Sequence, residues 1–251
     1  MRIFTVRDRD RVRDRVLELA TSDKRITAGA IVGSLAHDAG DRWSDLDLTF
    51  GVADRIAVSE VLADWTRTII AELDAVHLFD VAGGQAIYRV FLLPVCLQCD
   101  LSFAPFKHFG ALGSKFKLLF GECEEKPFPQ EPPARELFGY GVHHALRARF
   151  CIERGRYWQA EYWISAARDH ALSLACHRRG LPTSYGRGFD ELPSDVRDKF
   201  SAAFATSLDR LELLRALEEA VAGLLREAGD AQYLAAQVEP QLRQLLPPWA
   251  E

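Results

Sequence analysis

Two aspartates separated by one leucine, Asp45 and Asp47, follow a glycine–serine pair at Gly33 and Ser34. The alternation of side-chain type over residues 45–52 predicts a β-strand. Because successive side chains of a strand point to opposite faces, the two carboxylates share one face and lie ~6.6 Å apart along it. Carboxylates in this arrangement are suited to binding a hard cation or to moving protons.

A third acid, Asp100, has the matching position in a later predicted strand over residues 95–104. Alternation places Asp100 on a polar face with Gln98 and Ser102. The opposite, core-facing set is Val95, Leu97, Cys99, Leu101 and Phe103. Asp100 joins the first two acids if the two strands are neighbours in the sheet. Three clustered carboxylates repel one another, so at least one is expected to hold a proton unless a cation intervenes.

Magnesium fits such a cluster, because it prefers a few carboxylates together with phosphate oxygens of a substrate. The Gly33–Ser34 turn ends an apolar strand predicted over residues 26–32. Glycine allows close approach of the backbone to a phosphate, and turn amides and a serine hydroxyl can donate hydrogen bonds to it. Each feature alone is common: two acids on a strand are often only solvated, and Gly-Ser occurs in many turns. Their conjunction favours phosphate and metal chemistry.

The elements that position these residues alternate between helix and strand in the first half of the chain. Apolar spacing predicts helices over 7–22 and 54–74, the first with a solvated mixed-charge face. Further strands are predicted over 76–81 and 86–93. The segment 126–133 contains four prolines and is predicted to connect two domains.

After this connection the pattern is helical throughout. The predicted helices cover 134–154, 157–179, 194–204, 207–228 and 230–246. The expected fold class is therefore α+β, with a small mixed β-sheet domain and flanking helices over 1–125. An all-α helical bundle over 134–251 follows the connection.

Composition narrows the classes of function. The chain has 251 residues, 48% of them hydrophobic, and a formal net charge of −5. This charge disfavours nucleic-acid binding through bulk electrostatics and suits a cationic ligand better. Neither a signal segment nor a membrane-spanning run is evident, so a cytoplasmic location without membrane association is expected. Five cysteines fit reduced thiols, and the Cys96–Cys99 pair has no second pair at zinc spacing.

The order Gly-Ser, Asp-x-Asp and a distant third acid resembles the signature of the nucleotidyltransferase superfamily of the polymerase-β type. The motif resemblance covers residues 1–105. A helical bundle after such a domain looks like the antibiotic-modifying members, such as lincosamide and kanamycin nucleotidyltransferases. Residues 156–169 and 187–193 resemble the helical region of the lincosamide type. Many members carry a basic residue and a glycine soon after Gly-Ser, whereas residues 35–40 here read Leu-Ala-His-Asp-Ala-Gly.

The resemblance implies an enzyme that transfers a nucleoside monophosphate from a nucleoside triphosphate, with ATP expected, to a hydroxyl of a small molecule. Aminoglycosides and lincosamides are the acceptor classes it suggests. It implies that Asp45 and Asp47 bind Mg²⁺, and that Asp100 either completes the metal site or acts as the general base. The nucleotide-binding residues implied are Gly33, Ser34 and Ser44.

In the helical domain, Glu161 and Asp169 lie on one side of the predicted helix 157–179, with Arg168 between them. Either acid is a candidate contact for a cationic acceptor or a candidate base. The equally weighted alternative is ion pairing within the helix to Arg168, which contributes little at a surface. The aromatic residues Tyr157, Trp158, Tyr162 and Trp163 are expected to pack in the bundle. The helical histidines lack metal-site spacing and are assigned no role: His143, His144, His170 and His177.

Two further functions stay open on the sequence. One is the same transfer to a protein or RNA acceptor, as in antitoxin-type minimal nucleotidyltransferases. The net negative charge of the chain disfavours an RNA acceptor. The other is a nucleotide-binding protein without turnover, against which the presence of all three acids counts. Members of the family often need a second subunit to complete the site, so a homodimer is compatible with the resemblance.

Overall fold

The computed structural model describes residues 3–37, 40–124, 126–127 and 130–246, without the side chain of His37. The chain divides into two compact units, Met1–Pro129 and Gln130–Glu251. The division falls inside the proline-rich segment 126–133. The described residues of that segment belong to neither helix nor strand.

The first unit is a six-stranded mixed sheet with two helices. The helices are α1 (Val6–Ser22) and α2 (Val58–Leu73). The strands are β1 (Ile26–Val32), β2 (Leu46–Val52), β3 (Val76–Gly83), β4 (Ala86–Leu93), β5 (Leu97–Pro105) and β6 (Phe116–Phe120). Their order in the sheet is β3-β4-β5-β2-β1-β6. Strands β2 and β5 pair in parallel, and the other neighbouring pairs are antiparallel.

One face of the sheet packs against the two helices. Phe50 of β2 and Phe103 of β5 contact Trp65 of α2, with ring centroids 5.1–5.4 Å apart. The inward residues of β2 and β5 are almost fully buried, as alternation predicts: Leu46, Leu48, Leu97, Cys99 and Leu101. The next residues along each strand must therefore lie on the opposite face. This is the face that carries the acids.

The opposite face is covered at one end by the chain that follows β5. Phe109 is buried there beside Ala28 and Ala30 of β1. A Cβ atom at Gly51 would lie 3.2 Å from the Phe109 ring, so a side chain there would require Phe109 to shift by a few tenths of an ångström. Because Gly51 has the same strand parity as Asp47, this cover lies on the acid-bearing face.

The second unit consists of helices around one apolar core. They are α3 (Ala134–Glu153), α4 (Tyr157–His177), α5 (Ser194–Arg197), α6 (Arg210–Arg226) and α7 (Gln232–Gln244). Small residues of α3, α4 and α6 let the helices pack closely, with Ala145, Ala171 and Ala220 fully buried. The α+β fold class, a mixed sheet with flanking helices followed by a helical region, is thus confirmed. No helix in the described ranges is long and apolar enough to cross a membrane.

Several predicted boundaries are wrong for local reasons. Strand β5 begins at Leu97 because Val95 and Cys96 take left-handed backbone angles after Pro94, with φ of 59° and 61°. Val95 is therefore exposed and not in the core. The predicted helix 194–204 is α5 followed by a 3₁₀ turn over 198–203. Strand β6 is not predicted, because it is an edge strand whose exposed residues follow no apolar–polar alternation.

Candidate active site

The three sequence-predicted acids come together at one end of the two parallel strands. Asp45, Asp47 and Asp100 each offer a carboxylate oxygen, and these oxygens all lie within 4.8 Å of one another. The cause is the register of β2 against β5, which pairs Asp47 directly with Asp100. Asp45 immediately precedes β2 and has the same parity as Asp47. All three residues are half-buried.

The environment of Asp100 disfavours its charge. Burial, the larger effect, and the nearby carboxylate of Asp45 both raise the pKa of Asp100. The Gln98 amide opposes this shift by donating to both Asp100 oxygens at 3.1 Å. A bound cation would offset the repulsion between these carboxylates.

The cluster fits a magnesium ion by donor type and by spacing. Its atoms are hard carboxylate oxygens, which are the protein ligands that Mg²⁺ prefers. Oxygens bound octahedrally at about 2.0–2.1 Å lie roughly 3 Å apart when adjacent and roughly 4 Å apart when opposite. The observed limit of 4.8 Å is close to this range, so small side-chain rotations bring all three oxygens to one ion. Within the described parts of the chain, no other group of three or more His, Cys, Asp or Glu side chains meets this spacing.

Gly33 makes the close approach to Asp47 that the site requires. Its φ is +72°, and a Cβ atom there would lie 2.4 Å from Asp47 Oδ2. The Gly33 amide donates to the Lys115 carbonyl at 3.1 Å, which joins the turn to the segment before β6. This amide is therefore engaged within the protein. The Gly-Ser turn itself is a short 3₁₀ helix over Gly33–His37.

The loop before Asp45 is held by Arg9, a residue that the sequence pattern places on a solvated helix face. Arg9 is instead 5% exposed, and its guanidinium donates to the carbonyls of Asp41 and Ser44 at 2.7 and 2.9 Å. The Ser44 hydroxyl is also engaged, because it donates to the Asp41 carboxylate at 3.2 Å and accepts from the Asp41 amide at 3.0 Å. The turn is thereby fixed next to the first acid.

Sequence reasoning missed Arg9 because an arginine in a run of alternating charges carries no sign of burial. Asp38 and Ala39, in the loop that follows the Gly-Ser turn, lie outside the described part of the chain. The Cys96–Cys99 pair does not form a site. Cys96 is exposed in the turn before β5, whereas Cys99 is buried in the strand, where burial and then the nearby acids raise its pKa.

The helical unit places Glu161 and Asp169 in separate local environments. The Ser165 hydroxyl donates to Glu161 at 2.6 Å. Arg168 forms an ion pair with Asp169 at 2.9 Å, which is the intrahelical pairing left open by the sequence. Asp169 also lines a cavity of about 560 Å³ beside His170. Glu161 is not among the described residues that line this cavity.

The aromatic residues of α4 divide into two sets. Tyr157 and Trp163 pack against the core of the bundle, as predicted. The prediction is wrong for Trp158 and Tyr162, which are 81% and 62% exposed. Trp163 also belongs to a stack of rings. Its other members are Tyr140, His143, His144 and His170. Burial lowers the pKa of the two central histidines, His144 and His170, so both favour the neutral form.

Fold and site together define a class: an α+β protein with a three-carboxylate cluster at one end of a parallel strand pair. No protein-family model matches the sequence, and no curated protein matches it either. Among solved structures, an aminoglycoside 6-adenyltransferase from Bacillus subtilis is similar with a TM-score of 0.40 and 12% sequence identity. The alignment covers 93% of this chain and 96% of that one. The functional conclusion therefore depends on the geometry of the acids.

Proposed function

We propose that this protein is a magnesium-dependent nucleotidyltransferase that uses a nucleoside triphosphate to modify a hydroxyl group of a small molecule. The observation that carries the proposal is the convergence of the Asp45, Asp47 and Asp100 oxygens within 4.8 Å. The adjoining Gly33 turn supports it, because the backbone at Gly33 approaches the Asp47 carboxylate so closely that a Cβ atom there would lie 2.4 Å from Oδ2. The combination offers a cation site and a nearby backbone turn for a phosphate chain.

In this proposal Asp45 and Asp47 bind Mg²⁺, and Asp100 either completes that set or accepts the acceptor's proton. When bound, the ion neutralises phosphate charge and orients the phosphates. The acceptor oxygen forms a bond to the α-phosphorus while the bond between the α-phosphorus and its bridging oxygen breaks, and pyrophosphate leaves. The protein's own contribution is chiefly positioning of the two reactants. Proton removal by Asp100 would increase the rate of the transfer step by ~10²–10⁴-fold.

The Gly-Ser turn serves as the nucleotide-binding segment. Because the Gly33 amide is engaged by the Lys115 carbonyl, the amide and hydroxyl of Ser34 are the proposed phosphate donors of this turn. In this proposal Ser44 does not contact phosphate directly. It fixes the loop before Asp45 through its hydrogen bonds to Asp41. ATP is the proposed nucleotide. The proposed acceptor is an aminoglycoside or a lincosamide, and the net charge of −5 suits the cationic amino groups of such molecules.

The first test is calorimetric titration with ATP, GTP, CTP and UTP, each with and without Mg²⁺. Asp47→Asn removes one carboxylate charge at nearly constant shape. Asp74→Asn is the matched control, because Asp74 is exposed at the end of α2 with φ of 52°, a conformation that asparagine also tolerates. We expect metal-dependent binding of at least one nucleotide by the wild type and the control, and none by Asp47→Asn.

Failure of the wild type to bind any nucleotide, alone or with acceptors present, would refute the proposal. If a nucleotide binds, pyrophosphate release is measured with aminoglycosides and lincosamides as acceptors. Release that depends on one acceptor class and is lost in Asp100→Asn identifies the reaction. Binding without release for any small hydroxylated acceptor would refute the acceptor part of the proposal and leave nucleotide binding intact.

A further inference from the structure

A small cavity lies on the same face of the sheet as the acid cluster. Its volume is about 190 Å³, and it lies within the first unit. Thr49 and Ser102, which face each other across β2 and β5, form part of its wall. They are two residues beyond Asp47 and Asp100 on the same strands, a distance of ~6.6 Å along the sheet. The cavity and the acids therefore lie on the same face of the sheet, one step of the strand alternation apart.

Two of the residues that line this cavity, Thr49 and Ser102, carry small hydroxyl side chains. Ser102 is 3% exposed and lines the cavity, and Thr49 is half-buried beside it. Across the described part of the chain, neither hydroxyl is hydrogen-bonded to another side chain or to the backbone. Each hydroxyl can both donate and accept a hydrogen bond, so the pair offers two polar contacts to a ligand or to water in the cavity.

The rest of the wall is aromatic and apolar. Tyr88 pairs with Ser102 from the neighbouring strand β4, and burial raises its pKa. Phe116 enters from β6 on the other side, next to Val32 of β1. The remaining lining residues belong to the segment after β5: Gly110, Leu112, Gly113 and Lys115. Aromatic rings on a strand surface offer flat faces for stacking a planar group.

Size and charge restrict the ligand. The cavity is smaller than the ~300–1,000 Å³ typical of pockets for drug-sized molecules, so it accepts about one ring system. Lys115 is the charged residue among those described in the wall, and no carboxylate lines it. A cationic amino sugar is therefore disfavoured there, since its charge would meet Lys115 with no compensating acid. A flat, neutral, hydrogen-bonding ring meets all these conditions.

We propose that this cavity binds the nucleobase of the nucleotide whose phosphates lie at the acid cluster, an inference that rests on the proposed function. In a nucleotide only the sugar separates the phosphate from the base. The cavity lies a similarly short distance, ~6.6 Å along β2 and β5, from the acids that would hold the phosphates. Thr49 and Ser102 hydrogen-bond to the polar edge of the base, and Tyr88 and Phe116 contact its faces. These residues would determine which nucleoside triphosphate is preferred.

The test compares a nucleotide with a ligand that has phosphates but no base. Mg²⁺-dependent dissociation constants are measured for the preferred nucleoside triphosphate and for inorganic tripolyphosphate. The variants are Thr49→Val and Ser102→Ala, singly and together, which remove hydroxyls with little change in volume. The control is Thr21→Val at an exposed position of α1. Tripolyphosphate binding also reports that the acid site of each variant is folded.

Two lost hydrogen bonds are expected to weaken nucleotide binding by about tenfold or more in the double variant. Tripolyphosphate binding should be unchanged, and Thr21→Val should behave like the wild type. If nucleotide binding falls no further than in Thr21→Val, the cavity does not hold the base, although the proposed function stands. Loss of both ligands in equal measure also overturns the inference. If the wild type binds neither ligand, the proposed function fails as well.

Discussion

Substitution of Gly33 by alanine tests whether the turn and the acid cluster act as one unit. The added Cβ atom would lie 2.4 Å from Asp47 Oδ2, well inside van der Waals contact. The atom it meets is at the end of a movable side chain, so the clash is relieved by rotation of the Asp47 carboxylate. That carboxylate is the group proposed to bind the metal. The substitution is therefore expected to damage the site more than the fold.

The cost in stability comes mainly from the backbone. At φ of +72°, an alanine pays about 1–2 kcal/mol for a left-handed conformation that glycine adopts freely. Gly84 supplies a matched control, because its φ is +63° and a Cβ atom there meets nothing within 4 Å. Gly84→Ala thus has the same backbone penalty without the clash. Rotation of Asp47 away from its preferred rotamer adds about 0.5–1.5 kcal/mol to Gly33→Ala alone.

The assay pairs denaturant unfolding with titration by Mg²⁺ and ATP. We expect both variants to lose about 1–2 kcal/mol of unfolding free energy, with Gly33→Ala lower than Gly84→Ala by no more than about 1.5 kcal/mol. Displacement of a metal ligand should weaken Mg²⁺-dependent nucleotide binding by at least ~10–100-fold in Gly33→Ala, the range seen when the groups that orient ligands are disturbed. Gly84→Ala should bind like the wild type. Equal binding by both variants would refute the reasoning.

Three further substitutions test other contacts. Arg9→Met should weaken Mg²⁺-dependent ATP binding in titration, because the Asp41 and Ser44 carbonyls before Asp45 lose their charge-assisted donor. Unchanged affinity would contradict the role of Arg9 in positioning this loop. Asp23→Asn should lower the unfolding free energy by about 2 kcal/mol at pH 7, because the side chain of Arg25 is the main cause of a pKa of about 2 for the Asp23 carboxyl. Since a depressed folded-state pKa stabilises only above the unfolded value of ~3.9, the difference from wild type should vanish as the pH falls towards 2, and a constant difference in urea titrations would contradict this. Glu227→Gln should lower the free energy of unfolding, measured by thermal denaturation, by about 1.5–3 kcal/mol, because the buried Glu227 carboxylate pairs with three arginines.

Local sequence determined the faces of the two central strands. Alternation of apolar and polar residues around Asp47 and Asp100 predicts which side chains enter the core, and the structure buries the apolar set as predicted, with the exception of Val95. That exception has a local cause in the left-handed turn after Pro94, which alternation cannot reveal. The α+β class and the change to helices after the prolines follow from periodicity in the same way.

Tertiary structure decided how these pieces meet. Nothing in the sequence fixes β5 as the parallel neighbour of β2, and a different strand order would leave Asp100 far from the other acids. The burial of Arg9 and the cavity beside Thr49 likewise depend on contacts between segments distant along the chain. Alternation and turn propensity act over a few residues, so the sequence by itself determined which side chains share a face. Strand order and register arise from packing of the whole unit, and these alone brought the three carboxylates to one point.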